Sequence, residues 1–372
     1  MLEMSAPPKP APPQGASAAP LPKKRLPYAD ILKGLLMFSV LLSHTNVALQ
    51  CCCAKPMGYL PSGTLSLWHM PLFMAIAGYF FYASLRKASV TQIIRNKIVF
   101  ILVPCIFWGT VARVFDAGVF HGNWSLSALL PTNTLWFLWS LLLCMLLFLI
   151  PYGSMRFSRT AGHAVAILIA CGLHLVPGWS FNVAYMFPFF YAGYACNEFN
   201  LLHRLRPWHV AVACAMTAAF AVALQFGHFK GWSVWKTGTY IFHSNGVARQ
   251  IYLDVVRLAI GFIGSIGFAG LVYYLYLWAK KRMQPANAVV RRVKAWLLLL
   301  GTFSLSVYAI QATIVEVLFK NLIASLPAME CPQLAYKCFF HPVSAILLSL
   351  LCLLGILLLA RVPLCRRYML GK

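Results

Sequence analysis

The chain has 372 residues, 61% of them hydrophobic and 10% charged, with a mean hydropathy of +0.75. Soluble domains carry about 25% charged residues, so an ordinary aqueous fold is excluded, and the composition predicts an all-α, polytopic integral membrane protein. The net charge of +24 does not indicate nucleic acid, because the basic residues are scattered along the chain rather than gathered on one face. Anionic lipid headgroups are their expected neighbours.

Taken in order, residues 1–27 are rich in Pro, Ala and basic residues and cannot pack a core, which predicts a disordered tail. No long apolar run precedes Lys23, so the tail does not read as a cleaved signal peptide. Ten apolar candidates follow, at roughly 30–50, 65–85, 98–116, 134–151, 161–176, 183–199, 208–226, 251–279, 296–325 and 343–361. Most approach the length of about 20 residues that a bilayer requires, while 251–279 and 296–325 are long enough to tilt or break. Residues 28–362 thus form one transmembrane domain, and 363–372 a short tail. No internal repeat is evident and no soluble domain is left over.

Orientation follows from the loops, since Lys and Arg are retained on the cytoplasmic side. With the amino terminus inside, 22 of the 31 basic residues fall in inner segments and 5 in outer loops. Both termini are then cytoplasmic. Cys51, Cys52, Cys53, Cys331 and Cys338 fall in outer loops, where an oxidising compartment permits a disulfide but free thiols serve equally well. No CxxC pair or His–Cys spacing argues for a metal site.

The first span, YADILKGLLMFSVLLSHTN, keeps Asp30, Lys33 and His44 inside apolar sequence. Lys33 and His44 are three helical turns apart, on one face and about 16 Å along the axis, and Asp30 can pair with Lys33 at i,i+3. Ionisable groups at membrane depth are costly and are read first as functional. The alternatives are a snorkelling ion pair for Asp30 and Lys33 and a satisfied interhelical hydrogen bond for His44. In the second span, LWHMPLFMAIAGYFF places His69 near the outer surface, in the same half of the membrane as His44. Two imidazoles at one depth can share a polar pocket, one as general base and the other orienting a substrate; a lone interfacial His69 is the alternative. Asp254 with Arg257, and Arg113 with Asp116, read as structural i,i+3 pairs, Glu316 is a further buried charge, and Trp136 and Trp139 read as belt or core aromatics.

Asp30-Ile31-Leu32-Lys33-Gly34, followed by an apolar run to His44, resembles the first span of acyltransferase family 3, in particular its fucose 4-O-acetylase-like branch. His69-Met70-Pro71-Leu72-Phe73 with Ala77-Gly78-Tyr79 resembles the family's HMPLF and SGY elements, with Ala77 where Ser is commoner. Lys97 to Pro104 with Trp108, the run Leu135 to Trp139, and Gly301 to Tyr308 resemble its later motifs. The resemblance implies an O-acyltransferase of a bacterial inner membrane, moving an acyl group, usually acetyl from acetyl-CoA, to a hydroxyl of an extracytoplasmic sugar, lipid-linked glycan or polysaccharide.

It also implies His44 as the catalytic histidine, with Lys33 as its basic partner where much of the family has Arg, and Asp30 and His69 beside them. Lys33, Arg86, Arg95 and Lys97 are the candidates to hold the phosphates of acyl-CoA; ordinary positive-inside residues are the alternative for the last three. Gln311 stands where many members have His, and the soluble esterase-like domain of larger members is absent. A multi-span transporter of a small polar or anionic solute is the competing class, but it predicts two related halves with matched broken helices.

Overall fold

The computed structural model of the protein describes residues 26–50, 68–130, 135–177, 182–225, 238–242, 246–282, 288–325, 332 and 335–370. Most of the amino-terminal tail and Cys51, Cys52, Cys53 and Cys331 lie outside them. Every extended element among the described residues is helical, because in hydrocarbon a helix satisfies its backbone within one segment.

The first helix, α1, runs Pro27–Gln50. Pro27 starts it with a preset φ and no donor to lose, and Asp30 in the first turn complements the helix dipole. Then follow α2 (His69–Leu85), α3 (Val90–Phe120), α4 (Trp136–Met155), α5 (Arg159–Leu175) and α6 (Val183–Glu198, with Pro188 inside). The remainder are α7 (Pro207–Gln225), α8 (Val247–Arg282), α9 (Ala288–Thr302), α10 (Ser304–Ala324) and α11 (His341–Leu359). Ser89 and Ser158 cap α3 and α5 by accepting from the backbone N–H of Gln92 and Ala161.

By length and composition, six helices among the described residues can cross a membrane: α1, α3, α4, α8, α10 and Cys338–Leu359, which contains α11. The expected count of ten is therefore not established. Of the rest, α2 is 17 residues and α6 is 16, at the short limit for a span. The two long candidates behave differently. Residues 247–282 form one unbroken 36-residue helix, whereas the later segment breaks at Phe303, between α9 and α10.

Small residues set the closest helix contacts, as expected where lipid removes the hydrophobic drive for association. A Cβ at Gly34 would strike the backbone of Leu297, and one at Gly301 would strike the Asp30 carbonyl, so α1 and α9 touch backbone to backbone. Gly78 and Gly193 do the same for α2 and α6, against Phe190 and Ala75. Around these contacts Met37, Leu41, Met74, Phe81, Phe148, Phe187, Phe190 and Ile310 form the main core. The Tyr28 hydroxyl donates to the Ala269 carbonyl at 2.6 Å and ties α1 to α8.

Both expected i,i+3 pairs are present, Arg113–Asp116 at 3.2 Å and Arg257–Asp254 at 3.1 Å. The second is the centre of a wider network. Asp254 also meets His174 Nδ1 at 3.2 Å and accepts from Gln250, and Arg257 and Gln250 both donate to the Gly238 carbonyl. Four polar side chains thereby pin the 238–242 segment to α5 and α8, which satisfies a fully buried guanidinium.

Candidate active site

The amino-terminal end of α1 carries the first half of the site. Lys33 Nζ lies 2.8 Å from Asp30 Oδ1, and both side chains are partly exposed. Lys33 also lines a cavity of about 280 Å³ with Phe73, Ala77, Phe81, Lys97, Phe137 and Leu370 among its walls, and with the α9–α10 break, residues 302–306, on another side. The wall is mostly aromatic and aliphatic, with two ammonium groups and the hydroxyls of Ser84, Thr302, Ser304 and Ser306. Lys97 Nζ sits 5.8 Å from the centre of the Phe81 ring, a distance at which the ring face attracts the cation. Of the four basic candidates, Lys33 and Lys97 meet in this cavity. Arg86 instead lies over the Tyr82 ring at 5.8 Å and Arg95 is exposed on α3; neither lines it.

Three turns along α1, His44 Nδ1 stands 3.3 Å from Glu316 Oε1 of α10. The same oxygen accepts from Gln311 Nε2 at 2.8 Å. Glu316 falls in a π-helical stretch, Ile314–Phe319, whose wider turn swings it back over Gln311, five residues earlier. Such single-turn insertions occur frequently at functional sites. Gln311 is fully buried, while His44 and Glu316 keep about a third of their side-chain surface open (31% and 40%). The dyad is thus held from behind and reachable in front.

Among the described residues the polar partner of His44 is Glu316, and His69 is buried at the start of α2. Spacing within α1 cannot show this, because the approach of α10 selects the partner. The sequence signal for Glu316 was its charge inside an apolar run.

Other α1 neighbours also come from distant sequence. Tyr336 donates to Asn46 Oδ1 at 2.9 Å, and His341 Nε2 lies 2.8 Å from the Leu42 carbonyl. These contacts fix α11 against α1 on either side of His44 in sequence. Between the cavity and the dyad, the Phe137 N–H donates to the Tyr308 hydroxyl at 3.4 Å, with the rings edge to face at 5.7 Å. Leu135, the residue before α4, is left-handed at φ 59°, a strained conformation for a branched side chain, and it turns the chain into the segment that carries Phe137.

A family model described as an acyltransferase domain, the third of that name, matches residues 26–365. The chain belongs to acyltransferase family 3. As a family 3 protein with several bilayer-length apolar helices, it is a membrane acyltransferase. Nodulation protein NolL of Mesorhizobium japonicum is similar over 311 residues at 25% identity, covering 77% of this chain and 75% of its own. Nodulation protein NolL of Sinorhizobium fredii is 29% identical over 175 residues, 44% of this chain and 47% of its own. No solved structure matches.

Proposed function

We propose that this family 3 enzyme takes an acyl group, acetyl in the first instance, from acyl-CoA and passes it to a hydroxyl of an extracytoplasmic sugar, lipid-linked glycan or polysaccharide. It does so in a bacterial inner membrane with both termini cytoplasmic. The observation that carries the reading is a histidine–carboxylate contact between two apolar, bilayer-length helices, with a lysine about 16 Å along the first of them that lines a cavity.

The two ends divide the work. Acyl-CoA is made in the cytosol and is too polar to cross, while the acceptor waits outside. Lys33 and Lys97 hold the donor phosphates as point charges at the cavity, and the uncharged pantetheine arm extends along α1 towards His44. With its proton on Nδ1, 3.3 Å from the Glu316 carboxylate, His44 keeps Nε2 free as base, and the carboxylate stabilises the imidazolium once formed. Gln311 keeps the carboxylate in place. The acceptor O–H gives its proton to Nε2 as its oxygen bonds to the thioester carbonyl carbon; the C–S bond then breaks, and the leaving CoA sulfur takes that proton back. Asp30 aligns Lys33.

The test compares the surface glycans of a deletion strain and its parent by mass spectrometry, and adds isotopically labelled acetyl-CoA to membranes from each. A mass difference of one acetyl group per modified sugar, restored by the gene and carrying the label, is the expected result. Identical glycans and no label transfer would overturn the reading.

A further inference from the structure

The cavity has a wall that α1 and its partners do not supply. After α11 the chain turns back, and Cys365–Met369 form a last helical turn against α3, with Leu370 reaching α10. Two side chains hold it there. Trp108 Nε1 donates to the Met369 carbonyl at 2.9 Å, and the Ser306 hydroxyl donates to the Leu370 carbonyl at 2.9 Å. The two acceptors are the last residue of this turn and the one after it, where carbonyls have no partner within the helix. Leu370 is only 3% exposed and lines the cavity with Lys33 and Lys97. The end of a segment that reads as a short cytoplasmic tail is therefore docked on the bundle through Leu370, while Leu364, Arg366 and Tyr368 stay exposed.

We propose that Leu370 is a donor-positioning residue: the folded-back segment presses its side chain into the cavity, where it forms the wall along which the uncharged pantetheine arm of acyl-CoA lies. The inference rests on the reading of this cavity as the donor site and adds a contact to it. Three features favour this role over simple packing. Leu370 faces a void bounded by two cations; its carbonyl and that of the preceding Met369 are held from two different helices; and one of those tethers, Ser306, lines the same void. Because the contact is with the arm and not the acyl group, its effect is on donor binding and is the same for acetyl and longer acyl donors.

The experiment measures KM and kcat for acetyl-CoA and butyryl-CoA in membranes carrying Leu370→Trp, Leu370→Met or Ala77→Phe, the last on the α2 wall of the cavity. Leu370→Trp fills the space and is expected to raise KM about tenfold for both donors with kcat nearly unchanged, and Leu370→Met to restore the parental KM. A raised KM in Ala77→Phe with an unchanged KM in Leu370→Trp would overturn the Leu370 assignment and leave the donor cavity standing. Unchanged KM in both would overturn the cavity as donor site, and this inference with it. A second measurement does not depend on tolerance of Trp. In Leu370→Cys, maleimide labelling of position 370, read by peptide mass spectrometry, should slow severalfold in desulfo-coenzyme A, which has no thiol to consume the reagent, at a concentration above the KM for acetyl-CoA. An unchanged rate would contradict the contact.

Discussion

His44, Glu316 and Gln311 form a short relay in which each group fixes the next. A carboxylate against one imidazole nitrogen sets the tautomer and leaves the other nitrogen to exchange protons. Glu316→Gln keeps the shape but removes the charge that stabilises the imidazolium, so kcat should fall by about 10²-fold or more while KM for acyl-CoA stays near its parental value. Steady-state rates in membranes check this, and a loss below threefold would make Glu316 a packing group. At the other end of α1, Lys33→Ala should raise KM for acyl-CoA, whereas Lys33→Arg keeps most activity because the charge is retained. Equal, severe loss in both would instead point to an Asp30–Lys33 pair that requires an ammonium.

Two backbone contacts and one π turn place these residues. Gly34 and Gly301 let α1 and α9 meet with no side chain between them, and that contact sets the height of Lys33 and His44 relative to α10. Gly301→Val has no flexible neighbour to displace, since it would strike the Asp30 carbonyl. It should cost at least the 1–3 kcal/mol typical of overpacking, to order of magnitude, and lower the yield of monodisperse protein in detergent. Gly355→Ala in α11 meets nothing within 4 Å and should leave the yield intact or raise it. Equal yields would mean that the α1–α9 contact is soft.

The same elements mark what the sequence could disclose. Lys33 and His44 were legible because a helix has a fixed period and charge is rare in apolar runs. The pairs at 113/116 and 254/257 were legible for the same reason. The partner of His44 was not, because it depends on how α10 docks and on a π turn that brings residues five apart together. The break at Phe303 was foreseen only as a possibility of length, and the inward fold of Cys365–Leu370 had no sequence signal, since it rests on side chains more than 60 positions away that bond to its backbone.

For the whole molecule, the proposed reaction needs a donor cavity open to the cytosol and a dyad nearer the outside. The ten-span reading of the sequence, with 22 inner and 5 outer basic residues, is the argument for that proposed direction. Lys55→Cys and Trp235→Cys should react with a membrane-impermeant maleimide in intact cells, and Lys87→Cys only after the membrane is opened. The reverse pattern would invert the protein and remove the reason for separating the two ends of α1. Along that axis, one substitution asks most directly whether the membrane histidine is a base. His44→Gln retains a hydrogen-bonding side chain but cannot accept and return a proton, so it should be nearly as inactive as His44→Ala, with acyl transfer down by about 10²–10⁴-fold and normal accumulation in the membrane. If His44→Gln acylates its acceptor at close to the parental rate, His44 is a structural residue and the proposed mechanism is wrong.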